Sequence, residues 1–306
     1  MTFANHMPTT STDAALSQDG IHWELHSDPN HAIHVQDIAL NRGHFRLDSI
    51  SLSIPAGKMT AIVGPNGSGK STLLRIMVRL LKPDRGTVQV LGQLSSQYSL
   101  REWSRRITML PQLKESLPLL TVRELVAYGR APHKRRFQTL HSAEDDAIVQ
   151  QMMDWTGIAA YSDRMFHTLS GGEQQRARIA MVLAQKTPVV LLDEPTTFLD
   201  IAHQFEVMDM LHRINRDTGL TIVMVLHDLQ QAAAYCDHMI ALKGGQLAAQ
   251  GQPLELLTDD FIKQVYGMNA TIKYEGKYPV IVPVIPHHSG GQSHDHRNEH
   301  IANHQR

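Results

Sequence analysis

The chain has 306 residues, a formal net charge of −1 and a pI near 7.0, a balance that argues against a strongly basic nucleic-acid binder. Apolar residues make up 42% and charged residues 19%, as is typical of a globular protein with a buried core. The single cysteine, Cys236, excludes an internal disulfide and favours a reducing compartment.

The termini are polar and show no membrane or secretion signal. Residues 1–32 are rich in Ser, Thr, Asp, Asn and His, and we predict a flexible extension there. They lack the basic start and apolar middle of a secretion signal, and no apolar run in the chain approaches the roughly 18 residues that span a bilayer. We therefore expect a cytosolic chain that works at a membrane only by docking on a partner.

Between the termini, residues 33–286 alternate between strand and helix signals. The first short runs, "IHVQDIAL" and "FRLDSISLSI", partly alternate apolar and polar residues, which predicts an antiparallel strand pair. Residues 113 to about 170 contain helix-capping signals at Thr121 and Ser142 and predict an all-helical insert. "PVVLLDEP" and "LTIVMVLHD" are continuous apolar runs, as in buried parallel strands. The prediction is an α/β fold with a mixed sheet, an N-terminal antiparallel β subdomain and a helical insert.

A glycine-rich turn follows one predicted strand and opens a helix. Gly64–Ser71 fits the pattern G-x-x-x-x-G-K-[ST], in which backbone N–H groups close around phosphates. Lys70 would reach the β- and γ-phosphates, and Ser71 would hold Mg²⁺. The alternative is an ordinary strand–helix turn, but the strand before the motif and the helix after it favour a phosphate-binding loop. The residues expected around the nucleotide are Gly64, Pro65, Asn66, Gly67, Ser68, Gly69, Lys70, Ser71 and Thr72.

Polar residues that follow three further strands are candidates for catalysis. Asp193 ends a buried strand and would bind Mg²⁺, while Glu194, which faces the other way, would act as general base on a water. His227 ends the next strand and would hydrogen-bond the γ-phosphate, although an isolated histidine is often structural. Gln112 follows another strand and would sense Mg²⁺ or the water. Because ligands bind at the carboxyl ends of parallel strands, we expect these residues to converge with Lys70.

A second glycine turn, "LSGGEQQ", precedes a helix much later in the chain. Ser170 and Glu173 form a capping box, but capping does not require Gly171 or Gly172, since glycine weakens a helix start. The alternative is a well-capped helix with incidental glycines. We predict instead that this turn clamps the γ-phosphate of an ATP held by a second copy, in a head-to-tail pair. The residues assigned to it are Ser170, Gly171, Gly172 and Gln174.

The segments "GPNGSGKST", "LPQ", "LSGGEQQ", "LLDEPTTFLD" and "VLHD", in this order and spacing, resemble the nucleotide-binding subunit of ABC transporters. The resemblance covers about residues 33–286. It implies a P-loop NTPase (RecA-like) core, ATP and Mg²⁺ as cofactors, and a homodimer in which the loop containing Asp200 contacts the other subunit. It also implies that the insert docks on integral membrane permease subunits at the cytoplasmic face of the plasma (inner) membrane, with a periplasmic or surface substrate-binding protein as an indirect partner.

A finer resemblance concerns the transported substrate. "TTFLDIAHQ", "LVAYGRAPH" and "VYGMNATI" are similar to ATPase subunits that import ferric siderophores, with vitamin B12 and haem importers close by. It implies that the chain energises import of an iron chelate, with vitamin B12, haem or a free metal ion as alternatives. A soluble, non-transport ABC ATPase is an alternative of another class. It is disfavoured because the insert lacks sustained heptads and only one cassette is present.

The chain departs from the family at two positions. The family often places an aromatic residue, on which adenine stacks, ahead of the first glycine loop. The spacing puts it near Asn41, which is not aromatic, and leaves Phe45 as a nearby substitute. Phe198 stands where the wider family has a small residue, a feature that looks typical of the siderophore branch.

Residues 287–306 form a His-rich polar tail that we predict to be disordered. His296, His300 and His304 are spaced so that they would share a helix face and could bind Zn²⁺, Ni²⁺ or Fe. The alternative is a solvated tail, because a metal site needs fixed geometry and neighbouring groups that hold its ligands in place. A metal-binding regulator is therefore a third class of function, based on the tail alone.

Overall fold

The computed structural model describes residues 30–112, 119–134, 142–276 and 278–284. Most of the predicted N-terminal extension and the whole His-rich tail lie outside these ranges. The strands described are β1 (His31–Arg42), β2 (Phe45–Pro55), β3 (Met59–Val63), β4 (Arg85–Val90), β5 (Gln93–Leu94), β6 (Ile107–Leu110), β7 (Val189–Asp193), β8 (Thr221–Val225), β9 (His238–Lys243), β10 (Gln246–Gly251), β11 (Ala270–Glu275) and β12 (Tyr278–Pro283).

The helices connect the strands or form the insert. They are α1 (Lys70–Met77), α2 (Leu100–Trp103), α3 (Val122–Tyr128), α4 (Ala143–Trp155), α5 (Gly171–Ala184), α6 (Ile201–Thr218), α7 (Leu229–Tyr235), α8 (Pro253–Leu256) and α9 (Asp259–Phe261), followed by a π-helical turn, Ile262–Tyr266. None of the described helices is both long enough and apolar enough to cross a membrane.

The central sheet is mixed and has the strand order β10-β9-β3-β8-β7-β6. All neighbours in it are parallel except β10, which pairs with β9 in the antiparallel direction. Every residue of β3, β7 and β8 is buried, which explains why their sequences are continuously apolar. The carboxyl ends of β3, β6, β7 and β8 therefore lie along one edge of the sheet.

The N-terminal sheet is antiparallel, with the order β2-β1-β4-β5. It packs on one face of the central sheet, because Ile62 of β3 belongs to the same apolar cluster as Ile33 and Ile50. Ala61 and Val63, which flank Ile62 in β3, belong to the apolar cluster on the other face of the central sheet. The insert and α5 cover that face. The predicted α/β fold with an antiparallel β subdomain and a helical insert is confirmed.

In the part that the structure describes, the insert consists of α-helices, short 3-10 helices and turns, and its only β-structure is an isolated bridge between Thr121 and Met165. Thr121 forms the expected capping box at the start of α3. A buried ion pair joins α4 to the turn that follows α3, with Arg130 Nε 2.8 Å from Asp145 Oδ1. Arg130 also donates to the carbonyl oxygen of Ala184 at 2.8 Å, so the same side chain connects the insert to the end of α5.

Candidate active site

The first glycine turn is a tight loop between β3 and α1 in which three glycines have positive φ. Gly64, Gly67 and Gly69 have φ of 140°, 76° and 104°. A Cβ atom at Gly64 would lie 2.0 Å from the carbonyl oxygen of Leu242, so no larger residue fits without moving the backbone. The loop is therefore built so that its backbone, and not side chains, lines the turn at the sheet edge.

Lys70 begins α1 and lies inside this loop. Its Nζ donates to the carbonyl oxygens of Gly64 at 2.8 Å and Pro65 at 3.0 Å. Burial lowers the pKa of Lys70, while the nearby carboxylates of Glu194 and Asp193 act in the opposite direction. The ammonium group is thus held where an anion in the loop would meet it.

Asp193 ends β7 beside the start of α1. Ser71 Oγ donates to Asp193 Oδ1 at 2.8 Å, and Oδ2 is buried without a hydrogen-bond partner among the described residues. Burial raises the pKa of Asp193, while the Ser71 hydrogen bond lowers it. An unpartnered carboxylate oxygen next to a hydroxyl is a donor set of the oxygen type that hard divalent cations prefer.

Glu194 faces away from that pair and lies at the centre of a second group. Its Oε2 accepts hydrogen bonds from Gln112 Nε2 at 2.6 Å and Thr197 Oγ1 at 3.0 Å, and its Oε1 is 2.6 Å from His227 Nε2. Its backbone φ of 56° is in the left-handed region, which costs about 1–3 kcal/mol for a residue with a side chain. The structure therefore brings Gln112, Glu194 and His227 together from the ends of three neighbouring strands.

The second glycine turn begins α5 with the expected capping box. Glu173 Oε2 accepts from the Ser170 backbone N–H at 2.8 Å, and Ser170 Oγ accepts from the Glu173 N–H at 3.4 Å. Gly171 is exposed, and a Cβ there would lie 3.8 Å from the nearest atom of Leu199. Gly172 is buried, and a Cβ there would lie 2.4 Å from the ring of His203. Packing within the chain therefore requires Gly172, whereas Gly171 leaves its surface open.

Gln174 and Asp200, the other two residues assigned to the paired site, have local hydrogen bonds. Gln174 Nε2 donates to the carbonyl oxygen of Leu169 at 3.0 Å. Asp200 caps α6, and Oδ1 accepts from the His203 N–H at 2.9 Å and is 2.8 Å from His203 Nδ1. The His203 hydrogen bonds lower the pKa of Asp200. Phe198 precedes this cap with φ of 67° and is 87% exposed.

Comparison with known proteins decides the family. A sequence profile described as ABC transporter matches residues 47–197. The petrobactin import ATP-binding protein FpuC of Bacillus anthracis is 42% identical over 83% of this chain and 93% of its own length. The ferric enterobactin transport ATP-binding protein FepC of Escherichia coli K12 is 44% identical over 81% of this chain and 93% of its own. The chain belongs to the ABC transporter ATP-binding proteins. As an ABC ATPase it hydrolyses ATP to energise transport.

Solved structures of similar fold support the assignment of this chain to the ABC ATPases. A chain described as a metal-chelate type ABC transporter in an inward-facing conformation has a TM-score of 0.73 and 25% identity, and the match covers 84% of this chain and 99% of that one. A cassette solved as a dimer in a post-hydrolysis state with ADP and phosphate has a TM-score of 0.62 and 29% identity over 72% and 98% of the two chains. Such homologues work as dimers with membrane permease subunits.

Two residues near the site of the ABC ATPase were missed by sequence reasoning. Thr197 contacts the Glu194 carboxylate, and His203 contacts Gly172 and Asp200; both lie within "TTFLDIAHQ", but their partners depend on how this segment turns. The structure distinguishes Asn41 from Phe45 as the candidate position for stacking on adenine. The Asn41 N–H donates to Asp84 Oδ2 at 2.7 Å, whereas the Phe45 ring lies against the glycine loop, 3.1 Å from where a Cβ of Gly69 would be.

Proposed function

We propose that this ABC ATPase energises the import of a ferric siderophore through a membrane permease. The observation that carries the proposal is 42–45% identity to import ATPases whose names specify petrobactin, ferric enterobactin and iron(3+)-hydroxamate. The last of these, FhuC of Bacillus subtilis 168, is 45% identical over 74% of this chain and 84% of its own length. These names favour an iron chelate over vitamin B12, haem or a free metal ion, and they leave the particular chelate open.

In this proposal the nucleotide phosphates occupy the Gly64–Thr72 loop. Lys70 exchanges the carbonyl oxygens of Gly64 and Pro65 for the β- and γ-phosphates, a gain because an anion pairs with a buried ammonium more strongly than a neutral carbonyl does. The Phe45 ring, which lies against this loop, is the aromatic surface available for adenine.

Glu194 would take the proton of the attacking water at the edge of the sheet. Oε2 already accepts from Gln112 and Thr197, so the water would bind at Oε1, where it takes the place of His227 when ATP binds. His227 is then free to donate to the γ-phosphate, and Gln112 keeps the carboxylate oriented. Catalysis would come from positioning and electrostatics, as in other phosphoryl transfers.

Ser71, Asp193 and Gln112 are the residues proposed to hold Mg²⁺, supported by the unpartnered Oδ2 of Asp193. The ion would neutralise charge on the β- and γ-phosphates. We expect Asp193→Asn to raise by about tenfold or more the Mg²⁺ concentration that half-saturates ATP hydrolysis, since an amide oxygen carries no charge. The measurement is a magnesium titration at fixed ATP, with the exposed Asp260→Asn as control. An unchanged half-saturation in Asp193→Asn would contradict the assignment.

We infer further that two copies pair head to tail, so that Ser170, Gly171, Gly172 and Gln174 of one chain clamp the γ-phosphate bound by the other. The open surface at Gly171 and the dimeric cassette with ADP and phosphate support this pairing. The insert would dock on the permease at the cytoplasmic face of the plasma (inner) membrane, which makes the chain a peripheral subunit. A periplasmic or surface binding protein would then be an indirect partner.

Uptake of radiolabelled iron tests the transport proposal. Cells that lack the chain are complemented with the native protein, with Glu194→Gln, or with the surface variant Glu206→Gln, and several ferric siderophores are offered. We expect uptake of at least one chelate with the native chain and Glu206→Gln, and none with Glu194→Gln, because uptake needs hydrolysis. Equal iron uptake in all strains would overturn siderophore import, and the same strains would then be tested with vitamin B12, haem and zinc.

A further inference from the structure

The loop of residues 196–200, which follows Glu194 and includes Phe198, is held by a chain of side-chain amides. Gln204 Nε2 of α6 donates to the carbonyl oxygen of Leu199 at 2.9 Å. Gln231 Nε2 of α7 donates in turn to Gln204 Oε1 at 2.8 Å. Gln231 is only 5% exposed, so its amide must be hydrogen-bonded to offset the loss of water. The loop backbone is therefore connected to α7 through two directional hydrogen bonds.

The α7 end of this series of amide hydrogen bonds adjoins the ATP site. Asp228 caps α7, and its Oδ1 accepts from the backbone N–H groups of Gln230 at 2.7 Å and Gln231 at 3.2 Å. His227, which contacts Glu194, directly precedes Asp228. Gln231 and His227 are thus linked by one capped helical turn, and a displacement of His227 moves the anchor of the 196–200 loop.

His203 connects the same loop to the second glycine turn. Its Nδ1 is 2.8 Å from Asp200 Oδ1, at the end of the loop. Its ring occupies the space that a side chain at residue 172 would need. A shift of Asp200 therefore moves the ring on which Gly172 rests, and Gly172 belongs to the turn assigned to the ATP of the other copy.

We propose that His203, Gln204 and Gln231 are positioning residues that couple the two ATP sites of a pair. Together they link the 196–200 loop to His227 in one site and to Gly172, which serves the other site. The proposal rests on the head-to-tail pairing inferred above. It gives the strained, exposed Phe198 a role, because a contact of this loop with a second copy would be relayed to both sites at once.

The alternative is that these hydrogen bonds only stabilise the fold. Gln204→Met and Gln231→Met separate the two readings, because methionine keeps the length of the side chain and removes its hydrogen bonds. The matched control is Gln230→Met, since Gln230 is exposed on the same helix. At His203 the pair is His203→Leu and His203→Asn, because the asparagine amide can donate to Asp200 from the position of Nδ1.

The readouts are the turnover number, the Hill coefficient for ATP, the affinity for a fluorescent ATP analogue and the thermal unfolding temperature of the full chain. We expect Gln204→Met, Gln231→Met and His203→Leu to lower turnover by about tenfold and to bring the Hill coefficient to one. Their ATP affinity should stay within about twofold of native, because misplacement of catalytic groups affects chemistry more than ground-state binding. His203→Asn recovers most of the turnover, and Gln230→Met matches the native chain.

Four results would overturn the proposal. Variants that keep native turnover and a native Hill coefficient show that the amide chain positions nothing. Losses of turnover that parallel a fall in the thermal unfolding temperature, and that His203→Asn does not restore, show a purely structural role. A Hill coefficient of one for the native chain at all protein concentrations would contradict the head-to-tail pairing itself. A cooperative native chain with equally cooperative variants would contradict only the coupling.

Discussion

Replacement of Glu194 by glutamine is expected to lower the rate of ATP hydrolysis by about 10²–10⁴, the usual loss when a general base is removed, while ATP still binds. Glutamine has the shape of glutamate and can still accept from Gln112 and Thr197, so the arrangement at the sheet edge is retained. It cannot take a proton from water at neutral pH, and hydrolysis fails for that reason alone. Phosphate release and nucleotide binding, measured on the same preparation, check both halves of the prediction.

The control for Glu194→Gln is Glu206→Gln. Glu206 is exposed on α6 and pairs with Arg176 at 2.7 Å, an interaction worth at most about 1 kcal/mol at a surface. Its rate of hydrolysis should equal that of the native chain. Native-like hydrolysis by Glu194→Gln would show that another group takes the proton, and the assignment of Glu194 would have to be given up.

Replacement of Lys70 by methionine is expected to weaken ATP binding and to reduce hydrolysis by about 10²–10³, the loss seen when one preorganised donor to a developing charge is removed. Methionine fills a similar volume but offers no charge and no donor to the phosphates. The folded state should survive, because burial already disfavours the ammonium and only two loop carbonyl groups lose a partner. Nucleotide binding by calorimetry and steady-state hydrolysis measure the two effects.

Lys82→Met is the matched control for Lys70→Met. Lys82 is exposed just after α1, so the same substitution there removes a charge that has no place in the site. We expect native binding and native turnover from it. If Lys70→Met bound ATP as tightly as Lys82→Met, the phosphates would not lie in the Gly64–Thr72 loop.

The position of the site was predictable because it depends on strand ends. Continuous apolar runs identify buried parallel strands, and the polar residues that follow them must share one edge of the sheet. Gln112, Glu194 and His227 therefore meet as expected from order alone, and Asp193 lies at the same sheet edge beside Ser71. The opposite directions of Asp193 and Glu194 are also as predicted, but the reason differs, since Glu194 lies beyond β7 with a left-handed backbone and strand alternation does not apply to it.

What the sequence could not provide are contacts between side chains of one turn and another. The reason for Gly172 is a histidine ring far along the chain, and no spacing rule relates residues 172 and 203. The hairpin of β11 and β12 was also missed as a paired unit, since prolines interrupt its apolar pattern. The bonding of Gln204 and Gln231 depends on the angle between α6 and α7, which emerges only from packing.

The side chain of Arg130 holds the insert together and connects it to α5. Its buried ion pair with Asp145 lies within the insert, and its hydrogen bond to the carbonyl oxygen of Ala184 reaches the end of α5. Sliding the insert along α5 would break this charge-assisted hydrogen bond, at a cost of about 1.5–3 kcal/mol, so the two are expected to move together. Helix α5 has 14 residues and is about 20 Å long, with Arg130 at one end and Gly171 at the other. We therefore expect a displacement of the insert to be transmitted through α5 to the glycine turn.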